Sequence, residues 1–146
     1  MIKTCISGGA KRTGNQQERR ISWKSHNIMT TRKDIVNAIR SYRYAIQDEM
    51  EFHRALEAVF EAEGISYLHE HDLGRSGISD FFCDGVCLEV KVDGSAAAVL
   101  RQLFQYAESK EVRELILVTT KSKHGTMPSQ IIGKPLTTVV ISVGLS

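Results

Sequence analysis

The segment Gly77-Ile78-Ser79-Asp80-Phe81-Phe82-Cys83-Asp84-Gly85-Val86-Cys87-Leu88-Glu89-Val90-Lys91 decides how this chain of 146 residues is read. Asp84-Gly85 suits a two-residue type I′ turn, which needs positive φ at both positions. Ile78–Cys83 and Val86–Val92 then become the arms of a hairpin. With that turn, Cys83 faces Val86, Phe82 faces Cys87, Phe81 faces Leu88 and Asp80 faces Glu89. Side chains alternate along each arm. One face carries Phe81, Cys83, Val86, Leu88 and Val90, all apolar, and reads as the core side. The other carries Asp80, Phe82, Cys87, Glu89 and Lys91. Two carboxylates directly opposite each other repel; at about 5 Å and an effective dielectric of about 20 the cost is roughly 3 kcal/mol. A shared proton, the Lys91 ammonium or a bound cation must offset it. A solvated strand face with Lys91 neutralising one acid is the plain alternative.

Outward from the hairpin, apolar residues mark the remaining elements. A short helix over about 30–42 is capped by Thr30 or Thr31. A longer one over about Ile46–Glu63 carries Ile46, Phe52, Leu56, Val59 and Phe60 on one stripe and stops at Gly64. On that helix Glu49 falls on the apolar stripe, where an unpaired acid is costly, and Glu51 points outward. Ile65–His71 alternates as a strand and places His69 and His71 on one face. Ser95 caps a helix over Ala96 to about Ser109, bearing Gln102 and Tyr106 one turn apart. Leu115–Thr120 reads as a strand buried on both faces, and Thr138–Val143 as a last strand. The order α-β-β-β-α-β predicts a mixed sheet flanked by helices.

Composition narrows the function classes. Apolar residues at 42% and charged residues at 25% fit a globular chain. The longest apolar run, Ala96–Leu100, is far short of the roughly 20 residues of a membrane span, and Met1–Arg12 lack the apolar core of a secretory leader. No membrane partner and a cytoplasmic setting are therefore expected. Three cysteines argue against a disulfide scaffold or a four-ligand zinc module. Charge is divided unevenly: residues 1–43 hold ten Lys and Arg against two acids, a net +8, and residues 44–146 hold nine against fifteen, a net −6. We therefore divide the chain into a basic, flexible arm over residues 1–28, with Trp23 among its cations, and a single domain over 29–146. A basic segment beside an acid-rich body points to a polyanion partner.

Asp80, eight intervening residues and Glu89-Val90-Lys91, within Gly77-x-x-Asp80 and Leu88-Glu89-Val90-Lys91, resemble the PD-(D/E)XK nuclease superfamily. Ser79 stands where the family's name has proline. Gln102-x-x-x-Tyr106 is similar to the extra motif of its exonuclease-related branch, and Gly-x-x-Asp hairpins occur in archaeal-type Holliday-junction resolvases and the VRR-NUC group. The likeness covers roughly residues 46–120. It implies a restriction-endonuclease-like α/β core and a metal-dependent nuclease hydrolysing DNA phosphodiesters. By the same resemblance, Asp80, Glu89 and the carbonyl of Val90 bind Mg²⁺, with Mn²⁺ as a substitute, and Glu49 bears on the metal through water. Lys91 activates or positions the attacking water, with a pKa lowered by burial, and Gln102 and Tyr106 orient the site or touch the strand. A supporting role falls to Glu70. DNA is the implied partner, with a homodimer or a larger restriction or recombination complex as the possible assembly. A non-catalytic nucleic-acid-binding or interaction module on the same fold is the alternative. His69 and His71 with Cys87 form a minor zinc candidate, and Arg75 and Lys121–His124 are candidate phosphate contacts or plain surface.

Overall fold

The computed structural model describes residues 29–143, together with the backbone of Lys3–Thr4. The basic arm, Trp23 and the last three residues lie otherwise outside the described residues. The elements are β1 (Lys3–Thr4), α1 (Arg32–Arg40), β2 (Tyr42–Arg43), α2 (Glu49–Glu63), β3 (Leu68–Asp72), β4 (Ile78–Cys83), β5 (Val86–Lys91), α3 (Ala96–Ala107), β6 (Glu114–Thr119), β7 (Gln130–Ile131) and β8 (Lys134–Val140). A six-stranded mixed sheet runs β3-β4-β5-β6-β8-β7. Strands β5, β6 and β8 are parallel neighbours, while β3, β4 and β7 run antiparallel to theirs. β1 and β2 form a separate parallel pair.

Helix ends follow local chemistry. Thr31 closes a capping box with Asp34 at the start of α1, and Ser95 caps α3 through the Ala98 amide. α2 begins at Glu49, three residues later than the stripe predicts. The Asp48 carboxylate accepts from the Glu51 amide, and Glu51 reaches back to accept from the Gln47 amide, so the helix starts at its cap and not at buried Ile46. Gly64 closes it at φ 69°. Ile65 is spent on that closure, its amide donating to the Phe60 carbonyl, which delays β3 to Leu68.

The hairpin turn is as expected: Asp84 and Gly85 have φ of 46° and 83°, and Cys83↔Val86, Phe82↔Cys87 and Phe81↔Leu88 are in register. Phe81, Cys83, Val86, Leu88 and Val90 pack with α1 and α2 in one core cluster. The opposite face is not a solvated one. Cys87 and Phe82 pack with Val99, Leu103, Tyr106 and Ala107 of α3 in a second cluster. Both layers are needed because β5 and β6 sit mid-sheet, where each face must be covered.

At the C-terminal side the last strand is β8, displaced from the predicted Thr138–Val143. It is joined to β7 by a second turn at Ile132-Gly133, with φ of 51° and 70°; isoleucine, a poor turn former, hides this turn from a composition-based reading.

Candidate active site

The acidic edge of the hairpin is where the sheet departs from regularity. The β4–β5 ladder ends at Phe81↔Leu88, one pair short of Asp80 and Glu89. Asp80 instead turns its Oδ2 to accept from the Val90 amide at 2.8 Å. Across β4, Glu70 has φ 53°, a conformation that costs a β-strand residue of order 1–3 kcal/mol. That kink breaks the alternation of β3. His69 lies against Phe81, with ring centroids 4.9 Å apart, whereas His71 stacks on Phe82 at 4.6 Å. The two histidines therefore lie on opposite faces, and the candidate zinc grouping with Cys87 does not assemble. Glu70 itself is exposed.

Glu89 is a buried acid. It is 1% exposed, and its two oxygens have different surroundings. Oε2 lies 2.8 Å from Tyr106 Oη. Oε1 lies 2.9 Å from Lys91 Nζ, yet outside hydrogen-bond geometry, and it is the one buried side-chain polar atom among the described residues without a hydrogen bond. Burial, and then the charge of Asp80, push the Glu89 carboxyl up to about 8, with Lys91 and Tyr106 opposing only in part.

The hydrogens at Tyr106 agree with this. Its hydroxyl accepts from Gln102 Nε2 at 2.7 Å, and it also faces the Ile78 carbonyl at 2.7 Å and Glu89 Oε2. One hydroxyl hydrogen cannot serve two acceptors. A protonated Glu89 donating to Oη, with Oη donating to Ile78, satisfies every group. Burial first, and then the Glu89 charge, hold the phenol neutral.

Lys91 corrects an expectation. Burial does pull its pKa down, but the Glu89 carboxylate 2.9 Å away, followed by the charges of Glu49 and Asp80, outweighs burial and raises it. Lys91 stays an ammonium and is not a base. The two shifts are one coupling, since an ionised Glu89 holds the proton on its lysine. Glu49, half-buried in the first turn of α2, thus bears on the cluster through Lys91.

The structure brings together Asp80, Glu89, Lys91, Val90, Gln102 and Tyr106, with Glu49 at the edge. Tyr106, 1% exposed, is an anchor for Glu89. Among the described residues, no three of His, Cys, Asp and Glu form a group able to hold a metal ion. A cation here would rely on Asp80, Glu89, a backbone carbonyl such as that of Val90, and water. Two carboxylates with water suit Mg²⁺, which keeps much of its hydration, better than Ca²⁺. Such an ion would share Glu89 Oε1 with the Lys91 ammonium, 2.9 Å from it.

Sequence reading missed His53, whose Nε2 lies 3.7 Å from Asp80 Oδ2 and whose Nδ1 lies 3.0 Å from His69 Nε2. Its place one turn beyond Glu49 was the available signal. His124, a candidate phosphate contact, is fully buried, its Nε2 donating to the Gly94 carbonyl and its Nδ1 accepting from Thr119 Oγ1. It ties the loop after β6 to the loop before α3. Arg75, Lys121 and Lys123 are exposed. Cys83 and Cys87 lie in opposite clusters, and burial raises both thiols to about 12, so neither is a nucleophile.

Replacing Tyr106 with phenylalanine should destabilise the protein by about 1–3 kcal/mol, the range for leaving buried partners unsatisfied. The Ile78 carbonyl and Glu89 Oε2 both lose their partner, while the ring still fills its place. Urea denaturation of the two proteins measures the difference.

Compared with protein-family models, with curated proteins and with solved structures, the chain matches none. No helix among the described residues is long and apolar enough to cross a membrane.

Proposed function

We propose that this protein is a divalent-metal-dependent nuclease that hydrolyses DNA phosphodiester bonds on a restriction-endonuclease-like core. The observation that carries the reading is the grouping of Asp80, a buried Glu89 and the Lys91 ammonium 2.9 Å from Glu89 Oε1. The run α2-β3-β4-β5-α3-β6 supports it, since it has the element order that the resemblance implies.

Phosphodiester hydrolysis needs the phosphate's charge offset and water made acidic enough to attack near neutral pH, and bound Mg²⁺ supplies both. Asp80 and Glu89 would hold the ion, with the Val90 carbonyl beside them. Lys91 keeps its proton, so its role is to steady charge on the phosphate and to orient water. Tyr106 and Gln102 fix the Glu89 carboxyl, and Glu49 supports the ammonium.

Plasmid relaxation with Mg²⁺, or with Mn²⁺ in its place, and with EDTA tests the reading. Metal-dependent nicking or linearisation is expected. A gel shift that leaves the DNA intact in either condition would favour the binding-module alternative, which the +8 of residues 1–43 makes the competing reading.

A further inference from the structure

The contacts of His53 place it behind Asp80 and not among the groups that would meet a substrate. The side chains of His53 and His69 are 15% and 20% exposed, and the His53 ring packs on Phe81 with centroids 5.4 Å apart. One hydrogen occupies the 3.0 Å gap between His53 Nδ1 and His69 Nε2. If His53 donates it, a neutral His53 turns a lone pair toward Asp80 Oδ2. If His69 donates it, the hydrogen of His53 sits on Nε2 and faces that oxygen. Two neutral rings carry two hydrogens for the three contacts Asp80–His53–His69–Glu57, and the second arrangement leaves unserved only the contact with Glu57, the more exposed of the two carboxylates. At the outer end His69 Nδ1 lies 3.7 Å from Glu57 Oε1, at the solvent edge.

In that arrangement Asp80 Oδ2 accepts from the Val90 amide at 2.8 Å and is approached by the His53 N–H, with Nε2 at 3.7 Å. This leaves Oδ1 as the oxygen free for a cation. We propose that His53, with its hydrogen held on Nε2 by His69, is a positioning residue that fixes the rotation of the Asp80 carboxylate for metal binding. The inference rests on the reading of Asp80 as a metal ligand. Partners of this kind tune a ligand by holding its orientation, and their loss costs about 10–100-fold in metal affinity or activity.

Calorimetric titration of Mg²⁺ into the full chain, with a thermal melt of each metal-free variant, tests it. His53→Gln keeps a side-chain donor near the Nε2 position and should bind Mg²⁺ nearly as the parent does. His53→Phe keeps the aromatic packing on Phe81 but loses the donor, and should bind about 10-fold more weakly or worse, with its melt close to the parent's. A merely structural histidine would give the reverse order, phenylalanine tolerated and glutamine not. Should His53→Phe fail to fold, His69→Phe carries the test: it leaves Asp80 untouched, and weakened Mg²⁺ binding is expected. Parent-like Mg²⁺ affinity in the folded phenylalanine variant overturns the inference and leaves the nuclease reading standing. Absence of any Mg²⁺ heat from the parent protein overturns both.

Discussion

Lys91→Ala should lower DNA cleavage by roughly 10²–10³-fold, the usual cost of losing one group that steadies charge in the transition state, while Mg²⁺ binding survives. Two effects on the ion oppose each other. Removing the ammonium relieves its repulsion of a cation, yet it also strips the buried Glu89 of its counter-charge, so the carboxyl holds its proton to higher pH. Titration above pH 8, where Glu89 is ionised in the parent protein, reads the affinity with the second effect reduced. Asp80→Asn is the contrasting variant. Its amide oxygen still accepts from the Val90 amide, which preserves the local fold, but the charge is gone, and both Mg²⁺ binding and cleavage should be lost. Unchanged Mg²⁺ affinity in Asp80→Asn would remove Asp80 from the metal site, and undiminished cleavage in Lys91→Ala would remove Lys91 from the reaction.

The second large effect is on stability. Glu89 has a carboxyl raised from 4.5 to about 8 in the folded protein. Between those values the folded state binds a proton that the unfolded state releases, so stability must fall as pH rises across that window. The contribution is fully present below about pH 4.5 and is exhausted above about pH 8. Lys91 does not blur this, because it is protonated in both states throughout the window. Guanidinium denaturation of EDTA-treated protein at several pH values should show a loss of a few kcal/mol between pH 5 and pH 8 attributable to this group. Glu89→Gln should flatten the slope, since a neutral amide has no proton to lose. Saturating Mg²⁺ should restore stability at the alkaline end, because a ligand that binds only the folded state adds about 2.7 kcal/mol at a hundredfold excess over its Kd. A parent protein as steep as its Glu89→Gln variant would show that Glu89 does not carry the slope.

The hairpin shows how much of the site was legible. Asp84-Gly85 admits few backbone conformations, so its turn sets the register, and the register assigns Phe81, Cys83, Val86, Leu88 and Val90 to one face with no knowledge of the rest of the chain. The place of Glu49 on a helical stripe and the spacing of Gln102 and Tyr106 were legible for the same reason, since 3.6 residues per turn fixes which side chains are neighbours. The His53–His69 contact was not. It joins residues 16 apart from a helix and a strand, and no local period relates them. The kink at Glu70 was equally hidden, because any regular alternation puts His69 and His71 together.

Local periodicity therefore determined the run of elements from α2 to β6, the turn at Asp84-Gly85 and the clustering of Asp80, Glu89 and Lys91 along one hairpin. Only the tertiary structure decided the protonation of that cluster. The packing of α3 over the acidic face removes Glu89 from water and sets Tyr106 against it, and desolvation is a property of what covers a group, which no spacing along the chain encodes. The same covering made this hairpin face part of the second core, where the alternative was a solvated one, and kept Lys91 charged through its buried partner.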